Sequence, residues 1–206
     1  MSMMDLSQGD SFWARIRALL QLTPAGRADA YAAIGSRNGQ NRPLDEEMRR
    51  CWALAAERHV SLCVMTLEID CFAEYLAAYG RDASEDCMDA LEGAIRSVVG
   101  DDGARCLRLG QAGFVVILPD LPVLMARSLA GKIMKAVRLE GLVNKESHSG
   151  IVTLGCGIAV VNPAGAFTPH VIEAAMATLR RAQRHGLSRI ETTDLRVGET
   201  RVVEAA

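Results

Sequence analysis

The sequence has few aromatic residues, almost no net charge and no long apolar run. Aromatic residues make up 4% of its 206 positions, and 25 acidic residues nearly balance 23 basic ones. A chain with so little net charge has no electrostatic reason to bind nucleic acid. A membrane-spanning helix needs about 20 predominantly apolar residues in succession, and no segment approaches this. We therefore expect neither a nucleic-acid partner nor a membrane span.

The sequence also lacks paired cysteines. Its six cysteines stand singly, with no C-x-x-C pair and no histidine at the spacing of metal ligands. Single cysteines in apolar segments are typical of reduced core residues. The first ten residues have no apolar run like that of a signal peptide. These features predict a cytoplasmic protein.

Half of the residues are apolar, which is enough for one substantial domain. Apolar spacing predicts two helices within residues 11–33, and a polar segment rich in glycine and asparagine follows them. We place a domain boundary in that segment. The helices are expected to pack against the domain or to form a homodimer with a second copy. The predicted parts are an N-terminal helical extension (1–35), a domain (36–193) and a charged tail (194–206).

The domain alternates short apolar strands with helices. Residues 61–67 are a nearly continuous apolar run and predict a buried strand, and residues 104–120 predict a β-hairpin with glycine at both ends of its turn. A helix is expected to end at Gly80 and another to begin near Asp82. The predicted order is helix, strand, two helices, hairpin, helix, strand, helix, strand. It favours an α/β (α+β) fold with a mixed sheet of about five strands flanked by helices.

Motif-like segments follow one another along this domain. They are Asn41-Arg42 before Asp45-Glu46, Glu68-Ile69-Asp70 at a strand end, Gly110-Gln111-Ala112-Gly113-Phe114 in the hairpin, Thr153 to Ala159, and Ala182 to Arg189. In order and spacing they resemble the GGDEF family of diguanylate cyclases, over roughly residues 36–193. The resemblance implies a nucleotidyl-cyclase-like fold and a role in bacterial cyclic di-GMP signalling.

The resemblance also implies where a nucleotide cleft would lie. A cyclase of this family joins two GTP molecules with the help of divalent metal ions, which need hard oxygen ligands. The family takes these ligands from the first acid of its D-I-D strand end and from its acidic turn. Here those positions are Glu68, Ala112 and Gly113. The resemblance therefore implies no metal site, with Glu68 as a vestige of one.

The positions that contact the substrate in the family also differ. Its guanine-reading asparagine and aspartate fall on Leu76 and Glu85, and two phosphate-binding cations fall on Gln183 and Leu187. A site built on such hydrogen bonds loses discrimination when they are removed. The resemblance thus implies a degenerate GGDEF domain with a remnant nucleotide cleft, formed by Glu68, Phe72, Leu76, Glu85, Gly110, Gln111, Ala112 and Gly113.

From these positions we expect no catalytic residue, no cofactor and no enzyme. The leading hypothesis is a catalytically inactive domain that serves as a protein-interaction or regulatory module for a signalling partner. A second hypothesis is a sensor that binds GTP or cyclic di-GMP in the remnant cleft. A third is an active diguanylate cyclase, for instance as half of a heterodimer.

Three further sets of residues can be interpreted either as structural features or as functional sites. Glu68 and Asp70 are expected to be solvated acids at a strand end, rather than a metal pair. Gly155-Cys156-Gly157 is expected to allow close packing, because a dinucleotide-binding pattern is incomplete there. A basic edge is expected to be a solvated helix face, with anion or partner docking as the alternative. Its members are Arg180, Arg181, Arg184 and Arg189.

Overall fold

The computed structural model of the chain describes residues 42–100 and 103–198, which form a mixed five-stranded sheet flanked by helices. This confirms the predicted fold class. The α-helices are α1 (Arg42–Glu57), α2 (Phe72–Val99), α3 (Val123–Leu139) and α4 (His170–Arg184). The strands are β1 (Leu62–Ile69), β2 (Arg105–Leu109), β3 (Gly113–Pro119), β4 (Leu154–Val161) and β5 (Ile190–Asp194), and a 3-10 turn (Leu195–Gly198) follows β5.

The strand β1 lies at the centre of the sheet, whose order is β2-β3-β1-β4-β5. Its continuous apolar run suits this place, because a central strand is covered on both faces. It pairs antiparallel with β3 and β4, and the predicted hairpin joins β2 to β3. The pair β4 and β5 is parallel and is connected through α4. The functional positions at the end of β1 are therefore flanked by a strand on each side.

Helices cover the two faces of β1. Met65 and Leu67 belong to one buried cluster with apolar side chains of α2 and α3. The intervening Thr66 is fully buried, and its Oγ1 donates a hydrogen bond to the carbonyl of Ala175 in α4 at 3.0 Å. Alternate residues of a strand point to opposite faces, so α4 lies on the face opposite α2 and α3.

The helix α2 contains a break at Gly80. This residue has φ 81° and ψ 179°, which is outside the helical region, although helical hydrogen bonding continues on both sides. The sequence predicts that one helix ends at Gly80 and another begins near Asp82. The structure confirms this, because two helical segments meet in a kink at Gly80 with no separate loop between them.

The larger-scale division of the chain stays a prediction. The chain divides between Asp45 and Glu46, and the sheet belongs to the part that begins at Glu46. The helices predicted within residues 11–33, and residues 199–206 of the predicted tail, lie outside the described residues. No helix in residues 42–100 or 103–198 has the length and apolar character needed to cross a bilayer.

Candidate functional site

The first side chain of the candidate site is Glu68, near the end of β1. It lies opposite Gly113 of β3 and Gly155 of β4 in the sheet. Its Oε1 accepts a hydrogen bond from the Nε2 of Gln183 at 3.2 Å. Burial raises the pKa of the Glu68 carboxyl, while the Gln183 hydrogen bond and the charge of Arg180 oppose the rise. The carboxyl thus already has a partner within the fold.

The second acid, Asp70, is 5% exposed. Its Oδ2 accepts hydrogen bonds from the Oγ1 of Thr153 at 2.7 Å and from the backbone N–H of Ser188 at 2.8 Å. Burial raises the pKa of Asp70, and the two hydrogen bonds oppose this. The expectation that Glu68 and Asp70 are solvated strand-end acids is therefore wrong. Gln183 at the end of α4, Ser188 in the loop after it and Thr153 just before β4 supply these hydrogen bonds.

The hairpin turn presents no acidic side chain. Ala112 is buried, and its carbonyl accepts a hydrogen bond from the N–H of Ile69 at 2.9 Å. At Gly113, an added Cβ would lie 2.8 Å from the carbonyl oxygen of Leu67, which is closer than real Cβ contacts allow. Glycine is needed there because of close backbone approach. A side chain at position 113 therefore requires the strands to move apart.

The remaining predicted cleft residues have different environments. Phe72 is buried in the same cluster as Ala112, and Leu76 packs against that cluster from the partly exposed side. Gly110, with φ 64°, and Gln111 form the exposed tip of the turn. The structure thus brings Glu68, Gly113, Phe72 and Ala112 to one end of β1 and β3, where the apolar members contribute to the core.

Glu85 is part of an ionic cluster that connects α2 to β2. Its Oε2 lies 2.9 Å from the Nη1 of Arg108, and the same guanidinium binds Glu92 through Nε at 2.9 Å. Asp89 binds the remaining Nη2. Although burial opposes it, hydrogen bonds from Arg108 and Arg96 lower the pKa of Glu92. This Arg108 cluster was missed by sequence reasoning. The signal that predicts it is the spacing of positions 85, 89 and 92, which share one face of a helix.

The donor groups at the end of β1 do not fit a divalent metal. Glu68 and Asp70 already accept hydrogen bonds from Gln183, Thr153 and Ser188. The turn adds no side-chain oxygen, because its two innermost positions are alanine and glycine. Within the described ranges, no three His, Cys, Asp or Glu side chains are grouped to hold a metal ion. The expectation of no metal and no cofactor stays a prediction.

A five-stranded mixed sheet with a tight hairpin turn beside a strand-end carboxylate defines a cyclase-like α/β domain. The family within this class is shown by sequence: residues 39–189 match the family described as diguanylate cyclase, GGDEF domain. The chain therefore belongs to the GGDEF family, as the motifs predict. No curated protein sequence matches it.

Solved structures of GGDEF domains share the fold. The active GGEEF domain of a diguanylate cyclase from Vibrio cholerae is 21% identical with a TM-score of 0.63, and the match covers 73% of this chain and 94% of that one. The coiled coil and GGDEF domain of DgcB from Caulobacter crescentus, in complex with c-di-GMP, is 22% identical with a TM-score of 0.61 and coverages of 91% and 97%. The diguanylate cyclase SiaD with its activator SiaC, from Pseudomonas aeruginosa, is 20% identical with a TM-score of 0.65 and coverages of 91% and 76%. At these identities the likeness establishes the fold.

The family assignment corrects one expectation. The residues of the turn predict that the chain is not an enzyme, whereas the family is one of diguanylate cyclases and includes a domain that is named active. The prediction of no enzyme is therefore wrong. That prediction rests on the side chains at a few positions, whereas the family match extends over residues 39–189.

Proposed function

We propose that this chain acts in bacterial cyclic di-GMP signalling as a regulatory domain that binds another protein of the pathway. The observation that carries the proposal is an exposed apolar pair in the first turn of α3. Leu124 is 83% exposed and Met125 is 59% exposed. Contiguous apolar surface left in water marks interaction sites, whereas single exposed apolar residues do not, and these two residues are adjacent in the chain. The structure of SiaD with its activator shows that a diguanylate cyclase can be bound by a regulatory protein.

The test is complementation in the bacterium that carries the gene. The gene is deleted, and the cyclic di-GMP level is measured by mass spectrometry after complementation with the natural chain or with a Leu124→Asp/Met125→Asp variant. We expect the variant to fail to restore the level, because a carboxylate at each position opposes burial in an interface.

A matched control lies at the other end of the same helix. Leu139 is 76% exposed, and Leu139→Asp introduces one carboxylate at an apolar position outside the proposed surface. This control is expected to restore the cyclic di-GMP level as the natural chain does. Full complementation by the Leu124→Asp/Met125→Asp variant, at equal protein level by immunoblot, would contradict the proposal.

A second candidate is binding of GTP or cyclic di-GMP in the candidate cleft. It is supported by the GGDEF domain of DgcB, which shares the fold and was solved in complex with c-di-GMP, whereas Glu68 and Asp70 are already hydrogen-bonded within this chain. A ligand at 100 times its dissociation constant stabilises a protein by about 2.7 kcal/mol, so a thermal-shift series with GTP, GDP and cyclic di-GMP detects binding. Unchanged melting temperatures at millimolar nucleotide would dismiss this candidate. Because the family is one of cyclases, the same samples are assayed for cyclic di-GMP formed from GTP and magnesium.

We further propose that the chain works in the cytoplasm as a homodimer formed by its N-terminal segment. All six cysteines are free, which agrees with a reducing compartment. The segment carries an apolar stripe at helical spacing that includes Phe12 and Ile16. Light scattering on the full chain is expected to give a dimer, and Phe12→Asp/Ile16→Asp is expected to give a monomer. Arg17→Asp, off the stripe, is the control; a dimer that survives the first variant would refute this arrangement.

A further inference from the structure

An open cavity of about 420 Å³ lies beside α3, the loop after α4, and β5. Its volume falls within the roughly 300–1,000 Å³ of small-molecule sites. Its lining is mostly polar, with one apolar residue among six, so it suits a charged ligand better than an apolar one. The lining residues are Arg127, His185, Ser188, Arg189, Ile190 and Glu191. None of these is among the eight residues of the candidate cleft, although the backbone N–H of Ser188 donates to Asp70 beside it.

The two arginines of the lining have guanidinium groups that form no hydrogen bond or ion pair within the residues that the structure describes. Arg127 comes from α3 and Arg189 from the residue before β5, and both are exposed. Other arginines nearby are engaged: Arg138 donates to the Oγ of Ser188, and Arg181 donates to the Oγ1 of Thr193 at 3.0 Å. The cavity thus presents two guanidinium groups from two different elements, and Arg127 also acts through its charge on the neighbouring Glu191.

The acid in the lining does not cancel this charge. Glu191 accepts a hydrogen bond at Oε1 from the Nδ1 of His185 at 3.0 Å, and its Oε2 lies 3.8 Å from the Nε of Arg181. The His185 hydrogen bond lowers the pKa of Glu191, and nearby arginines add to the effect. Glu191 is therefore ionised and already balanced by groups other than Arg189. A positive surplus remains at the cavity.

We propose that this cavity binds a phosphate group, held between Arg127 and Arg189. The planar guanidinium matches the oxygens of a phosphate and can donate two parallel hydrogen bonds to them. Two such groups on separate elements hold the anion from two directions. This assigns the basic edge of the sequence an anion-binding role at Arg189, separate from the proposed regulatory function and from the cleft beside Glu68.

The experiment is a calorimetric titration of the full chain with inorganic pyrophosphate at low salt. The natural chain is expected to bind, Arg127→Gln and Arg189→Gln are each expected to weaken binding by about tenfold, and the double variant to abolish it. Arg58→Gln removes the same charge from an exposed arginine outside the cavity and is expected to bind as the natural chain does. Far-UV circular dichroism and thermal melting confirm that each variant is folded.

Three results would overturn the proposal. They are no binding of millimolar pyrophosphate to the natural chain, undiminished binding to the folded double variant, and an equal loss in Arg58→Gln. Raising the salt to about 0.5 M is expected to weaken binding, because exposed charges are screened within a few ångströms at that ionic strength.

Two further arms identify the source of the phosphate and separate this cavity from the cleft. If pyrophosphate and GTP bind with equal affinity, the cavity recognises the phosphate group alone. If GTP binds more tightly and this binding is lost in the double variant, the cavity recognises a nucleotide. Arg180→Gln removes the cation beside the cleft and is expected to keep pyrophosphate binding. Loss of pyrophosphate binding in folded Arg180→Gln would place the anion in the cleft and contradict the proposal.

Discussion

Glu68 has an ionisable carboxyl group at the end of β1, where α4 covers the sheet. Its pKa is raised by burial, and the ordinary value is 4.5. A group whose pKa is higher in the folded chain than in the unfolded chain stabilises the fold most at low pH. Its contribution is fully present below the unfolded pKa and is lost as the pH rises through the folded pKa. The ionised carboxyl is therefore a source of instability near neutral pH.

We expect Glu68→Gln to raise the free energy of unfolding by about 1 kcal/mol at pH 8, because an uncharged amide avoids the desolvation of a carboxylate. The gain should shrink towards zero below pH 4.5, where Glu68 is protonated in both states. Urea unfolding between pH 4 and 8 measures this. Glu74→Gln, at an exposed position of α2, is the control and should change stability little at any pH. A gain that is independent of pH would show that titration of Glu68 is not its cause.

At the scale of the element, α2 depends on glycine at its break. Gly80 has φ 81°, a backbone conformation that residues other than glycine adopt only at an energetic cost. No atom lies within 4 Å of an added Cβ, so a larger residue would meet no steric clash there. Gly93 lies in the regular part of the same helix and also has open space around an added Cβ. Because neither position is crowded, a difference between alanine substitutions at Gly80 and Gly93 reports the backbone strain at Gly80.

We expect Gly80→Ala to lower the free energy of unfolding by roughly 1 kcal/mol or more, since the new residue must hold a left-handed conformation. Gly93→Ala should raise it by roughly 0.5–1 kcal/mol, because alanine favours a helix interior. Denaturant midpoints of the two variants measure both. Equal effects of the same sign would mean that the break at Gly80 is not maintained in solution.

The elements themselves are well predicted by their patterns. The apolar run of β1 and the glycine-bounded turn at Gly110 predict the central strand and the hairpin, because these signals are local. The environment of Asp70 is not predictable in this way, since its hydrogen bonds come from Thr153 and Ser188, more than 80 positions away. The contact of Arg108 with α2 is likewise tertiary. Only the helical spacing of its three acidic partners is visible in the sequence.

At the scale of the whole molecule, the packing of α4 on the sheet depends on the absence of a side chain at Gly157. An added Cβ there would lie 2.1 Å from the backbone nitrogen of Leu179 and 2.3 Å from the carbonyl oxygen of Ala175. This confirms the expected close packing at the glycine pair of β4. Because both obstructing atoms belong to backbone, no rotamer change can relieve the overlap.

We expect Gly157→Ala to destabilise the fold by about 3 kcal/mol or more, because α4 must move away from β1 and β4. Gly155→Ala is the comparison. Its nearest neighbours are side-chain atoms of Gln183 and Leu179 at 3.3 Å, which can shift. Its cost should therefore be smaller by at least about 1 kcal/mol. Similar chemical denaturation curves for the two variants would contradict the packing described here.

The family of the molecule is predictable from its motifs, while its activity is not. The motif order from Asn41 to Arg189 identifies a GGDEF domain, and the family match over residues 39–189 confirms it. The inference from Ala112 and Gly113 to a protein that is not an enzyme was wrong, because single positions do not determine membership of an enzyme family. The cavity beside Arg127 also escaped sequence reasoning, since its lining comes from elements that are far apart in the chain.

The exposure of the cysteine thiols allows the chain to be labelled at one position. Five cysteines are buried, and burial raises the pKa of Cys63 to about 12 and of Cys106 to about 11, whereas Cys71 is partly exposed. Cys71 sits at φ 56° between Asp70 and the first residue of α2. Burial and the neighbouring acids raise its pKa too, which slows reaction with a maleimide dye, so its exposure is what makes Cys71 the site of labelling. A fluorophore can thus be placed beside the strand end of the natural chain without any engineered substitution.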